Sequence, residues 1–148
     1  MINFAKLGFI KKLSGSESTE VTIPSEIAQI RKISTKILAL AGEHTKKESA
    51  LFDIRLCIEE AVRNAIVHGN NSDHRKKVMI EYGVSSGSLY IIVEDQGKGF
   101  DYKTLPNPTH EKNILRNSGR GVHLILNLMD AVEFNERGNR IKMIKRLR

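Results

Sequence analysis

The chain has 148 residues, 40% apolar and 28% charged, which suits one globular domain able to form a core without metal or disulfide staples. Its single cysteine, Cys57, excludes an internal disulfide, and no stretch approaches the roughly 18 consecutive apolar residues of a membrane span. A net charge of +7 admits nucleic acid, an acidic membrane, nucleotide phosphate or an acidic protein as partner, but aromatics at 5% with no Trp argue against base-stacking platforms.

The first residues, "MINFAKLGFIKKLSGSESTE", mix apolar residues with Lys6, Lys11 and Lys12. They lack a clean apolar core and a small-residue cleavage site, so no signal peptide is expected. "VTI" predicts a short strand leading to Pro24. A helix is expected from about Ser25 to Ala41, with Pro24 and Ser25 as start signals and Gly42 as stop. Ile27, Ile30, Ile33, Ile37 and Ala41 give it an apolar stripe.

A second helix is expected from about Ala50 to His68, ended by Gly69 and two asparagines. Leu51, Ile54, Ile58, Ala61 or Val62, and Ala65 form its buried face, and Cys57 fits the same helix as a small hydrophobe. "KVMIEYGV" alternates at strand period, "SSGS" is a turn, and "LYIIVED" is apolar nearly throughout, which places it centrally in a sheet. Phe100 to Ser118 is a long polar connection of the kind that forms lids or binding loops. "GRGVHLILNLMD" predicts a helix, and "AVEFNE" and "RIKMIKRL" a closing hairpin around "RGN". The order β-α-α-β-β-connection-α-β-β predicts an α+β two-layer sandwich, a mixed, mostly antiparallel sheet with helices on one face.

Three polar clusters stand out. In "EEAVRNAIVHGN", Glu60, Asn64 and His68 fall at i, i+4 and i+8, one stripe of a helix. An amide oxygen suits Mg²⁺, a carboxylate one turn earlier can accept a proton from an attacking hydroxyl, and His68 can meet phosphate or cap the helix. The plainer alternative is a solvated helix face. In "EDQGKGFD", Asp95 follows an apolar strand, with Gly97 and Gly99 beside it. Such a carboxylate can accept from an exocyclic amine while glycines leave room for a flat ring, or it can simply close a turn. In "SGRGVH", glycines precede a helix whose free N–H groups favour an anion, and Arg120 adds a forked donor. An ordinary loop-to-helix junction would look the same. The five histidines and the cysteine have no zinc-ligand spacing, and no G-x-x-x-x-G-K-[ST] loop is present.

In combination, the order and spacing of these boxes resemble the histidine-kinase-like ATPase superfamily, the GHKL group with the Bergerat nucleotide fold, and within it the anti-sigma-factor serine kinases. "EEAVRNAIVHGN" is similar to the family's N box, "EDQGKGFD" to its D-x-G-x-G box, "SGRGVHLI" to its second glycine box and "TIPSEIAQIRKI" to the entry into its first helix. The likeness covers about residues 20 to 147, which implies an ATPase domain over residues 20–148 and leaves residues 1–19 as an N-terminal extension. It implies ATP and Mg²⁺ as cofactors, Asn64 as Mg²⁺ ligand, Glu60 as catalytic base, and Asp95 with Gly97 and Gly99 as the adenine pocket. Gly119, Arg120, Gly121 and Val122 would wrap the phosphates, His68 would lie near them, and residues 100–118 would form a lid. Sporulation-type members carry an arginine directly before Ser-Gly; here that position is Asn117, leaving Arg116 and Arg120 as candidates for the γ-phosphate. The implied activity is phosphorylation of a serine on an anti-sigma-factor antagonist, or partner switching with nucleotide but no transfer. The implied partners are that antagonist, a sigma factor and a second copy of the chain, in the cytoplasm, with no membrane or direct nucleic-acid contact.

Overall fold

The structure, a computed structural model, describes residues 18–99 and 120–148. Strand β1 (Ser18–Pro24) leads to helix α1 (Gln29–His44) and helix α2 (Glu48–Arg63), which continues directly into a π-helical segment (Asn64–Gly69). There follow β2 (Lys77–Ser85), β3 (Ser88–Glu94), α3 (Arg120–Leu128), β4 (Ala131–Phe134) and β5 (Arg140–Arg146). The strands form one sheet in the order β1-β2-β3-β5-β4. Every pairing is antiparallel, so the α+β class stands, while the expected mixed sheet is wholly antiparallel among the described residues. The connection that carries α3 returns the chain to the far edge, and β5 then inserts between β4 and β3.

β3 is the middle strand, which accounts for its apolar run. The β2–β3 turn sets Ser86 and Gly87 at φ of 51° and 78°, the left-handed pair that matches hairpin twist. Alternate strand residues point to the helices. Val78, Ile80, Ile91, Val93 and Met143 share one core cluster with Ile30, Ile33, Ile37 and Ala41 of α1 and Ile54, Ile58, Ala61 and Val62 of α2. Each fully buried isoleucine contributes about 1.5–3 kcal/mol. A partly buried ion pair joins the layers. Lys145 on β5 donates to Asp53 of α2 at 3.3 Å and to the carbonyl of Leu128, the last residue of α3, at 2.6 Å.

Three sequence expectations change. Helix α1 begins at Gln29 rather than Ser25, because Ser25 is used elsewhere. Its hydroxyl donates to the Lys76 carbonyl at 2.7 Å and accepts from Asn70 at 2.9 Å, and Ala28 stands at the helix N-cap without a side-chain cap. Ile27 therefore precedes the helix and is 48% exposed, outside the buried stripe. The helix expected to run to His68 is α-helical only to Arg63, after which the backbone widens. Leu51 is half-buried at the margin of the core. The expected extension up to residue 17, the lid at 100–118, Arg116, Asn117 and Gly119 lie outside the described residues.

Candidate functional site

The three polar clusters meet at one end of the sandwich, and glycines show how closely. Glu60 and Asn64 sit half-buried where α2 passes into the π segment. Gly121, in the first turn of α3, lies against them: a Cβ there would overlap the Glu60 Oε2 and stand 3.3 Å from the Asn64 Nδ2. The second glycine box is thus pressed onto the carboxylate and amide of the first helix cluster. Both groups carry oxygen atoms, the donor type that Mg²⁺ prefers, so their chemistry is compatible with a hydrated Mg²⁺. Among the described residues no group of three or more His, Cys, Asp or Glu side chains could hold a metal by protein ligands alone.

The π-helical segment makes the second junction. The Asn70 N–H donates to the Ala65 carbonyl at 2.8 Å, an i→i−5 bond, and such widened turns recur at functional sites. At its end Gly69 abuts Asp95, so that a Cβ on Gly69 would overlap the carboxylate. A Cβ on Gly97 would in turn overlap the Gly69 carbonyl. The end of the N-box helix and the loop after β3 therefore interlock through two residues without side chains. His68, one residue earlier, is exposed.

Asp95 is fixed at every backbone atom that can bond. Its N–H donates to the Asn139 carbonyl at 2.9 Å, and its carbonyl accepts from the Asn139 amide at 2.8 Å. Its carboxylate accepts from the Gly97 N–H at 2.8 Å. Burial pushes the Asp95 carboxyl above the usual carboxylate range; the Gly97 N–H opposes this, Glu94 adds to it, and Arg137 and Lys76 oppose it. A half-buried carboxylate of this kind has an incentive to find a donor.

Asn70 braces the same loop from the other side. It is fully buried. Its amide nitrogen donates to Ser25 and to the Lys77 carbonyl at 3.0 Å, and its oxygen accepts from the Gln96 N–H at 2.8 Å. The site loop is thereby tied to the β1–α1 junction and to the start of β2. Sequence reasoning did not single out Gly69, Asn70, Arg137 or Asn139 as site residues. "HGN" and "RGN" carry only the ordinary signal of Gly and Asn in turns, which does not say that a turn braces a site.

The remaining sequence candidates divide. Asp95 and Gly97 come together with Gly69, and Gly99 (φ 80°) packs on the β4–β5 turn, where a Cβ would overlap the Arg137 carbonyl. Arg120 is exposed at the start of α3. Val122 has its side chain in the core at 6% exposure, so only its backbone N–H faces the helix N-terminus. Cys57 is buried and its thiol is pushed up to about 12, chiefly by burial, then by Asp53, which makes it inert.

Comparison with known proteins identifies the family. A family profile described as "Histidine kinase-like ATPase domain" matches residues 23–145. The chain is similar to the "Anti-sigma F factor" of Clostridium perfringens (strain ATCC 13124), 30% identical with 99% of both chains covered. It is also similar to the "Serine-protein kinase RsbW" of Bacillus subtilis (strain 168), 26% identical over 90% of this chain and 88% of the relative. Among solved structures it resembles that of the RsbU and RsbW domains of Rv1364c from Mycobacterium tuberculosis. The TM-score is 0.61 and the identity 17%, with 88% of this chain and 32% of that one covered, a likeness of fold.

Proposed function

The chain belongs to the histidine kinase-like ATPase domain family, and from that membership and the site's geometry we propose that it is an ATP-dependent protein serine kinase and anti-sigma factor. The observation that carries the reading is the contact of Gly121 with Glu60 and Asn64 beside the interlock of Gly69, Gly97 and Asp95. Through the end of α2 and the π segment it links a carboxylate suited to an adenine amine with a helix N-terminus suited to phosphate. The names of the relatives, a serine-protein kinase and an anti-sigma F factor, supply the substrate class and the partners.

In this reading Asp95 accepts from the adenine amine, and Gly97 and Gly99 line the base pocket, packed on Gly69 and on the β4–β5 turn. The first-turn N–H groups of α3 at Gly121 and Val122, with Arg120, receive the phosphates; Gly119 and Arg116 belong to the same phosphate-binding stretch. Asn64 holds Mg²⁺, which when bound neutralises phosphate charge. Glu60 takes the proton from the serine hydroxyl of an anti-sigma-factor antagonist as its oxygen bonds the γ-phosphorus, and the bond to the β-phosphate oxygen breaks to leave ADP. Positioning and charge neutralisation supply most of the acceleration in such transfers. His68, exposed one residue before Gly69, is a phosphate contact in the same scheme.

The chain then alternates between the antagonist and a sigma factor, in the cytoplasm. Its net charge of +7 speeds encounter with acidic partners, and phosphate added at a packed contact weakens the antagonist complex. A second copy of the chain is a further partner in this reading, as a pair related by a two-fold axis. Light scattering should return twice the chain mass, and a monomer at micromolar concentration would discard the pairing.

The test is incubation of the protein with γ-labelled ATP, Mg²⁺ and candidate antagonists from its own organism. Label on an antagonist serine is expected. Tight ATP binding with no transfer to any candidate would leave a nucleotide-gated binding module of the same fold.

A further inference from the structure

The turn between β4 and β5 reaches the loop after β3 with a residue that a hairpin does not need. A hairpin turn requires polar, turn-compatible residues, and this one is already held by Asn135. The Asn135 side-chain oxygen accepts from the Gly138 N–H at 2.9 Å, the Asn139 N–H at 3.1 Å and the Arg140 N–H at 3.2 Å. Its amide donates to the Asn139 oxygen at 2.7 Å. Arg137 plays no part in that internal bracing. Instead its Nη2 donates to the Gly97 carbonyl at 2.7 Å, 40 residues away in sequence. Its own carbonyl fills the space beside Gly99.

Gly97 is thus held at both polar atoms, its N–H on the Asp95 carboxylate and its carbonyl under the Arg137 guanidinium. We propose that Arg137 is a positioning residue for base recognition: it fixes the Gly97 backbone that orients Asp95. The proposal rests on the reading of Asp95 as the acceptor for the adenine amine, and adds to it a residue outside every sequence box.

Among the described residues, the charges that act on Asp95 come from three elements. Glu94 precedes it on β3, Lys76 approaches from the loop before β2, and Arg137 comes from the β4–β5 turn. Of the π segment, the uncharged Gly69 abuts the carboxylate. Arg137 and Lys76 therefore oppose the effect of burial on Asp95, and Arg137 also holds the loop through its hydrogen bond to the Gly97 carbonyl.

The experiment is a pH series of ATP and ADP titrations on the wild type, Arg137→Met, Arg137→Lys and Asp95→Asn, with steady-state transfer kinetics alongside. Arg137→Met should weaken ATP and ADP alike by about tenfold at neutral pH, the scale of one charge-assisted hydrogen bond. It should also move the acid limb of binding to higher pH, and raise the KM for ATP with kcat unchanged. Arg137→Lys keeps the charge and loses the fork, so it should restore the acid limb while recovering only part of the affinity. Wild-type affinity and an unmoved acid limb in Arg137→Met would overturn the proposal. If Asp95→Asn loses nucleotide, the acceptor reading stands and Arg137 is judged on its own variants. If Asp95→Asn binds nucleotide as the wild type does, the acceptor reading falls and this proposal falls with it.

Discussion

The two ends of the site are built from different materials. At the proposed phosphate end, Glu60 and Asn64 stand one helical turn apart where α2 passes into the π segment, and Gly121 of α3 closes on them. The working groups there are side chains whose spacing follows from helix geometry. At the base end, Asp95 is one side chain in a frame of backbone contacts and buried amides. Gly69, Gly97, Asn70 and Asn139 bring together the ends of α2 and β3 and the β4–β5 turn. The contrast has a physical basis. A group that takes a proton must present a side chain, whereas a pocket for a flat ring requires walls that do not move. The proposed phosphate end should therefore lose chemistry and phosphate-dependent binding when altered, and the proposed base end the binding of any adenine nucleotide together with stability.

The largest effect is expected at Glu60. Glu60→Gln should slow phosphotransfer by about 10²–10⁴, the usual loss on removing a general base, while ATP affinity stays within a small factor. Single-turnover transfer with labelled ATP measures it; transfer at the wild-type rate would assign the base elsewhere.

Glycine substitutions sharpen the comparison next. Gly69→Ala and Gly121→Ala each place a methyl in occupied space, on Asp95 and on Glu60, and such overpacking costs about 1–3 kcal/mol. Up to about a hundredfold of nucleotide affinity should be lost at either end. A methyl added at Gly42 in α1 would meet nothing within 4 Å, so Gly42→Ala should leave binding intact and stabilise the fold by about 0.5–1 kcal/mol. Calorimetric titration and thermal melting of the three variants separate the cases.

The contrast between the ends also explains how much was legible in the sequence. The periodicities gave both hairpins, the central place of β3 and the buried faces of α1 and α2, since each is a local consequence of side-chain alternation. Glu60, Asn64, Asp95 and Gly121 were visible because polar or flexible residues at those spacings are unusual in otherwise core-forming elements. The π-helical turn was not visible, because nothing in "NAIVHG" distinguishes an i→i−5 bond from an i→i−4 bond; the contact of Gly69 with Asp95 belongs to the tertiary structure. The same holds for Ser25, which has the composition of a helix cap but is drawn away by Asn70 and Lys76. Asn70 and Asn139 sit in stretches that any turn could contain.

Asn70 offers a stability test of the base-end frame. Asn70→Ala would strip partners from the Gln96 N–H and the Lys77 carbonyl and should destabilise the protein by about 1–3 kcal/mol. Denaturant unfolding measures it, and an unchanged midpoint would mean the frame is dispensable.

A smaller effect concerns pH. The Asp95 carboxyl is raised by burial, so the unfolded chain releases that proton more readily than the folded one. Its contribution to stability in the free protein therefore falls as pH rises from the ordinary carboxylate range through the raised value. Nucleotide binding through the ionised carboxylate, as proposed, should run the other way and weaken as pH falls through the same window. Unfolding midpoints of the wild type against pH should show a slope there that Asp95→Asn lacks.

The most direct measurement is a paired calorimetric titration of ATP with Mg²⁺ and of ADP without metal into the wild type, Asp95→Asn and Asn64→Ala. Asp95→Asn should weaken both ligands, because both carry adenine. Asn64→Ala should weaken only the Mg²⁺-dependent part of ATP binding and leave metal-free ADP near its wild-type affinity. Unchanged binding of both ligands by both folded variants would contradict the assignment of a single nucleotide site with a base end at Asp95 and a phosphate end at Asn64.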